Sequence, residues 1–130
     1  MKIAVVGSRN FSDKVLVENM MIEIIRLDGW TLVSGGAPGV DTWAEDYARL
    51  MKWKTIILKA NWKDLTHPDA VIKNGKYGKY DAMAGFRRNQ TIVDTADKIV
   101  AFWDGKSSGT KDTIDRAVRA GKPVDIYIRN

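Results

Sequence analysis

The stretch Val33-Ser34-Gly35-Gly36-Ala37-Pro38-Gly39-Val40-Asp41 decides how the rest of the chain is read. A short apolar run breaks into a glycine-rich turn, and a helical pattern follows at once. Glycines let the backbone curl tightly and approach a ligand. The next helix aims unpaired N–H groups and the positive end of its dipole at the turn. This is the pattern of an anion-binding loop between a strand and a helix, and phosphate is its natural guest.

Upstream of the loop, Lys2–Val6 reads as a first strand that ends in Gly7-Ser8-Arg9-Asn10. Ser12 and Asp13 supply a helix start, and Val17, Met21, Ile24 and Ile25 recur at helical spacing until Asp28-Gly29 stops the pattern. Trp30–Val33 is a second strand feeding the glycine loop. Downstream, Ala44, Tyr47, Ala48 and Met51 share one face of a helix over Asp41–Lys52, and Thr55–Leu58 reads as a third strand. A long connection from Lys59 to about Tyr80, rich in Lys, Gly, Asn and Asp, is the main irregularity; loops of this length are usually functional or mobile. Then come a helix over Met83–Thr95, a strand over Lys98–Phe102, a helix over Thr110–Ala120 with Ile114, Ala117, Val118 and Gly121 in register, and a strand over Val124–Ile128. Strand and helix alternate throughout. The expected architecture is a three-layer α/β domain with a mostly parallel five-stranded sheet, because parallel strands need crossover helices on both faces.

A length of 130 residues suits one domain over 1–130, with a core that needs no metal or disulfide support. The absence of cysteine excludes disulfides, thiol nucleophiles and thiolate metal sites. The amino-terminal apolar run is far too short for a signal peptide and no later run could span a bilayer, so a soluble, cytoplasmic protein with no membrane partner is expected. The net charge of +5 favours anionic partners, either nucleotides or nucleic acid. Basic residues thicken toward Arg88: Lys59, Lys63, Lys73, Lys76, Lys79, Arg87 and Arg88 outnumber Asp64, Asp69 and Asp81. Such a run is either a solvated face or a functional one.

Ligands of parallel α/β sheets bind beyond the carboxyl ends of the strands, where strand order reverses. Three small, polar, glycine-bearing turns fall on that edge: Gly7–Asn10, Ser34–Asp41 and Asp104–Thr110. None matches GxxxxGK[ST] or GxGxxG, which disfavours a P-loop NTPase or a conventional dehydrogenase. No motif demands magnesium or a redox cofactor, so no cofactor and no metal is expected. Arg87-Arg88-Asn89-Gln90 lies at the start of a helix, where arginine opposes the dipole and implies an anion or carboxylate partner. Asp41 and Glu45, one helical turn apart, read either as an acid/base pair or ribose-hydroxyl acceptors, or as acids complementing the dipole. His67 has no second imidazole with which to build a metal site and reads as a loop residue. Trp30, Trp53 and Trp103 adjoin strands and read as packing residues, whereas Trp43 and Trp62 are candidates to lie against a nucleobase.

The strand ending in Gly7-Ser8-Arg9, the segment SGGAPGVDTWAEDYA (Ser34–Ala48), AGFRRNQTIV (Ala84–Val93) and DGKSSGT (Asp104–Thr110) together resemble the SLOG superfamily, in particular its small stand-alone YspA/YpsA-like proteins. That superfamily includes the Rossmann-like domain of DNA-processing protein A, the Lonely Guy nucleoside-5′-monophosphate phosphoribohydrolases, and domains that sense nucleotide-derived signals in antiviral systems. The resemblance implies a Rossmann-like sheet ordered 3-2-1-4-5, a pocket for a nucleotide or its derivative, and assembly into a homodimer or larger homo-oligomer. The phosphoribohydrolases carry PGGxGTxxE with an upstream arginine. Here Gly109-Thr110 matches the GT and Arg88 the arginine, but Gly105-Lys106-Ser107 replaces PGG and Thr113 stands in place of the glutamate, with Asp112 one residue away on another face.

Together, residues and resemblance lead to a protein that binds a nucleotide or nucleotide-derived signal, of the ADP-ribose or cyclic type, as sensor, carrier or sequestering agent. Gly7, Ser8, Arg9, Ser34, Gly35, Gly36, Gly39, Asp41, Arg88, Asn89, Ser107, Ser108, Gly109 and Thr110 are the expected ligand-binding residues. In that reading the turns hold phosphate, Asp41 meets ribose, and Arg88 with Asn89 closes the pocket. One alternative is a nucleotide N-glycosidase, with Arg88 and Glu45, or Asp41 in place of Glu45, as catalytic residues. The other is single-stranded DNA binding, for which SGGAPGVD and Arg88-Asn89 are similar to segments of DNA-processing protein A, although the basic loop carries few aromatics for stacking.

Overall fold

Described over residues 1–25 and 29–129, the computed structural model runs β1 (Lys2–Gly7), α1 (Lys14–Ile25), β2 (Thr31–Ser34), α2 (Val40–Leu50), β3 (Thr55–Ile57), β4 (Ile72–Gly75), β5 (Gly78–Asp81), α3 (Ala84–Thr95), β6 (Lys98–Trp103), α4 (Ser108–Arg119) and β7 (Val124–Ile128). Five strands form one sheet in the order β3-β2-β1-β6-β7, and every neighbouring pair is parallel. Counting only the strands of this sheet, the order is 3-2-1-4-5.

The central strands are apolar on both faces because both faces are covered. Ile3, Val5, Val100 and Phe102 point to one side, where Val17 and Met21 of α1 and Val40, Ala44 and Ala48 of α2 complete a core. Ala4, Val6, Ile99 and Ala101 point to the other, against Ile92 and Val93 of α3 and Ile114 and Ala117 of α4. Continuous apolar runs in parallel strands express this two-sided burial. In α1 the Asp13 carboxylate accepts the N–H of Leu16 at 3.0 Å, which caps the helix as its sequence predicts. The stop at Asp28 and the side chain of Ile25 lie outside the described residues. On α4, Val118 faces solvent rather than the core, and Met51 falls just beyond the end of α2 as a half-exposed residue.

The connection between β3 and α3, read from the sequence as one long loop, contains strands of its own. It contains the antiparallel hairpin β4–β5, closed through Lys76 and Tyr77, with Gly75 paired to Gly78. All four residues of β4 are exposed. The segment therefore carries no apolar alternation by which a strand would be recognised. What fixes the hairpin is a polar clamp at its base. Asp81 is fully buried; its Oδ1 accepts N–H groups from Val71 at 3.1 Å and Met83 at 2.9 Å, and its Oδ2 pairs with the Arg87 guanidinium. Burial acts to raise the pKa of Asp81, but the hydrogen bonds from Met83, Arg87 and Val71 outweigh it and hold the carboxyl below the usual range. Among the described residues, no helix is long and apolar enough to cross a membrane.

Candidate functional site

The turns after β1, β2 and β6 meet at the carboxyl edge of the sheet around a cleft of about 260 Å³. Gly7, Arg9, Asp41, Arg88, Asn89, Ser107, Gly109 and Thr110, all expected from the sequence, line it. Val6, Ala37, Ile92 and Thr113 line it as well. Of these, Val6 and Ile92 carried only core periodicity in the sequence, and they supply the apolar floor. Thr113, at the position of the missing glutamate, faces the cleft too, and its hydroxyl donates to the Gly109 carbonyl at 3.2 Å.

The remaining expected residues act around the cleft rather than in its wall. Buried Ser8 ties two turns together: its Oγ lies 3.3 Å from Thr110 Oγ1 and accepts the N–H of Asp104 at 3.1 Å. Ser34 Oγ accepts the N–H of Gly36 at 3.3 Å and donates to Glu45 Oε1 at 2.6 Å. Glu45 is thus engaged with β2, and it is not among the residues lining the cleft. Asp41 Oδ2 accepts the N–H of Ala37 at 3.2 Å. Two amides of the glycine loop are therefore already paired with side chains of the loop itself. Gly39 holds φ +89°, and a Cβ there would lie 2.8 Å from the Arg9 carbonyl, so the close approach of the turns after β1 and β2 requires glycine. Ser108 borders a neighbouring hollow shared with Arg88, Asn89 and Gly109.

The amino end of α4 supplies the other backbone bordering the cleft. Asp104 accepts N–H bonds from Ser107 at 2.7 Å and Lys106 at 2.9 Å, which shapes the turn and lowers the pKa of its carboxyl. The first turn of α4 has no acidic residue, and its amino end opens on the cleft through Ser107, Gly109 and Thr110. This end of a twelve-residue helix presents N–H donors and a positive dipole.

Arg88, half-buried, lines the same cleft. Its Nη1 donates to the Gly35 carbonyl at 2.5 Å and its Nε to Asn89 Oδ1 at 3.1 Å. A Cβ on Gly35 would lie 2.6 Å from that Nη1 and 3.1 Å from Asp41 Oδ2, so guanidinium and carboxylate converge where a side chain is missing. Asn89 Nδ2 donates to the Gly109 carbonyl at 3.3 Å and to Asp112 Oδ2 at 3.1 Å, and Asp112 also accepts Arg116 Nε at 2.7 Å. Asp112 belongs to the brace between α3 and α4. Arg87 turns the other way, into its pairs with Asp81 and Asp69.

Burial pushes the Asp41 carboxyl from 3.8 up to about 6; the Ala37 N–H and the charge of Arg88 oppose the shift, and the charge of Glu45 adds to it. The same burial lowers the pKa of Arg88, against the charge of Asp41. Asp41 is thus a carboxyl that gains or loses its proton close to neutrality. Trp43 does not reach the cleft: it packs on the core beside α1, with Lys14 Nζ 5.8 Å from its ring centre. His67 is exposed and contacts Asp69. Among the described residues, no group of three or more His, Asp or Glu is placed to hold a metal.

A parallel sheet of this order, with a polar cleft at its switch point, defines a Rossmann-like domain. Residues 1–64 match the family described as YAcAr, the YspA, cpYpsA-related SLOG family. Among solved structures it is similar to DNA processing protein A from Helicobacter pylori, described for its single-stranded DNA binding mode. That match has 24% identity and a TM-score of 0.72 and covers 97% of this chain and 64% of that one. DNA processing protein A from Streptococcus pneumoniae matches with 25% identity and a TM-score of 0.73, over 96% of this chain and 49% of that one. The molybdenum cofactor binding protein from Rippkaea orientalis matches with 21% identity and a TM-score of 0.66, over 99% of this chain and 77% of that one. The chain spans less than two thirds of both DNA processing protein A chains. No curated protein matches significantly.

The titration of Asp41 has a measurable consequence. The folded state keeps a proton that the unfolded chain gives up above 3.8, so this group's contribution to stability is present at low pH and is lost as pH rises to about 6. The loss amounts to at most about 3 kcal/mol at roughly 1.4 kcal/mol per pKa unit. Urea unfolding of wild type and Asp41→Asn across this range should show the wild type losing stability relative to the variant as pH rises. Parallel curves would contradict the burial of a titrating carboxyl.

Proposed function

We propose that the cleft binds a nucleotide or nucleotide-derived signal, of the ADP-ribose or cyclic type, and that the chain acts as a sensor, carrier or sequestering protein. The observation that carries this reading is that the amino end of α4 and Arg88 line one cleft, with the guanidinium fixed by Gly35 and Asn89. Helix amides and a guanidinium across a small cleft suit a phosphate, which offers charge and several acceptor oxygens at once. Arg9, exposed at the mouth with no hydrogen-bond or ion-pair partner among the described residues, adds positive charge from the β1 turn. Asp41, in the same wall, would meet ribose hydroxyls, with Val6 and Ile92 as apolar lining. The anion-binding end of the site thus belongs to α4 and Arg88, while the glycine loop builds the wall that holds Arg88.

Nucleotide N-glycoside cleavage is a second reading, favoured by the Asp41 pKa of about 6, which suits a carboxyl that exchanges protons near neutrality. Asp41 rather than Glu45 would then be the acid/base group, because Glu45 is held by Ser34 outside the cleft wall. Incubation with adenosine monophosphate separates the readings: release of free adenine that is lost in Asp41→Asn and kept in Glu45→Gln would establish turnover.

For the binding reading, Arg88→Ala is expected to weaken ADP-ribose binding at least tenfold, on the basis of about 1.5–3 kcal/mol for a hydrogen bond to a charged group. Calorimetry should show this loss with the folded state retained. Equal affinity in the variant would remove Arg88 from the site.

A further inference from the structure

The hairpin that interrupts the domain builds a second hollow beside the first. A groove of about 560 Å³ is lined by Trp62, Tyr77 and Tyr80 together with Arg9, Lys63 and Lys76, and no acidic residue lines it. The aromatic side chains that look scattered along the basic connection converge here. Tyr77 is 81% exposed and Trp62 44% exposed, and neither belongs to the two core clusters.

The rings of Trp62 and Tyr80 are nevertheless packed together, and the turn that carries Tyr77 is tied down. Trp62 meets Tyr80 edge-on at 6.3 Å between ring centres, and it rests over Gly85, where a Cβ would come within 2.8 Å of the indole. Lys63 Nζ donates to the Tyr77 carbonyl at 2.6 Å and fixes the hairpin turn, while Lys76 Nζ lies 5.5 Å from the Tyr77 ring centre. Aromatic faces lining one groove with cations suit a nucleobase followed by a phosphate.

Two observations join the groove to the cleft. Arg9 lines both. Trp62 lines the groove and also a hollow that it shares with Arg88, Asn89 and Gly109. We propose that the hairpin groove is a nucleobase-stacking subsite continuous with the cleft across Arg9, and that the ligand is a dinucleotide, two nucleosides joined through phosphate. This rests on the reading of the cleft as a phosphate site. The groove is by itself the size of an ordinary small-molecule site, which fits one bounded ligand rather than a long strand.

The test is calorimetric titration of adenosine monophosphate, the linear diadenylate pApA and a long oligothymidylate into wild type, Tyr77→Ala and Arg88→Ala. The high exposure of Tyr77 leaves the fold undisturbed by its truncation, which a thermal melt checks. Wild type should bind pApA about tenfold or more tightly than the monophosphate, and Tyr77→Ala should remove most of that ratio. Equal affinities for the two ligands, or a ratio unchanged in Tyr77→Ala, would overturn the subsite. A much higher affinity for the oligothymidylate than for pApA would overturn the dinucleotide and assign the groove to a strand. If Tyr77→Ala reduces pApA binding while Arg88→Ala alters neither nucleotide, the stacking subsite stands and the phosphate reading of the cleft falls.

Discussion

The guanidinium of Arg88 lies against the carbonyl of Gly35, and the geometry of the cleft depends on that contact. It is made across the sheet edge, between the turn after β2 and the second turn of α3, at a place where any side chain larger than hydrogen would collide with the arginine. Glycine here matters for the space it leaves. Through that space one cation is brought beside a buried carboxyl, Asp41, whose own proton affinity is raised by the same burial. Asn89 then carries the constraint to α4 by holding Arg88 on one side and the Gly109 carbonyl and Asp112 on the other. A guanidinium, a helix amino end and a titrating carboxyl are thereby fixed around one small volume before any ligand arrives. Such preorganisation reduces the ordering cost of binding.

Two adjacent arginines divide the work of this region between scaffold and site. Arg87 is engaged with the buried Asp81 and with Asp69, and so clamps the hairpin to the start of α3. Arg88, one position on, points to the cleft. The hundred-degree turn per helical residue explains how neighbours in sequence face different partners. Because the hairpin is docked on the same helix turn that carries Arg88, its aromatic groove and the cleft are held by a common element.

Much of this was legible in the chain. Strands buried on both faces are apolar at every position, and their connecting turns must be small and polar, so β1, β2 and β6 and the three turns at their carboxyl ends announce themselves. The hairpin did not, because β4 is exposed throughout and its base is held by the buried Asp81 carboxylate, whose bonds to Val71, Met83 and Arg87 leave no apolar alternation in the sequence. The same limit applied to the partners of individual polar groups. Composition places Ser8, Ser34 and Glu45 near a ligand edge, but only the folded chain shows that Ser8 bridges to Thr110 and that Ser34 engages Glu45. The grouping of Trp62, Tyr77 and Tyr80 was hidden for a related reason: a hairpin brings together rings that the sequence keeps apart.

We propose that the carboxyl edge of this sheet holds a phosphate-bearing nucleotide derivative intact. The most direct measurement is native mass spectrometry of the purified protein after incubation with a pool of nucleoside phosphates, ADP-ribose species and cyclic nucleotides, with the free solution analysed in parallel. A ligand should be retained at stoichiometric level, with its mass unchanged. Free base and ribose phosphate in solution, or no retained nucleotide at all, would contradict it.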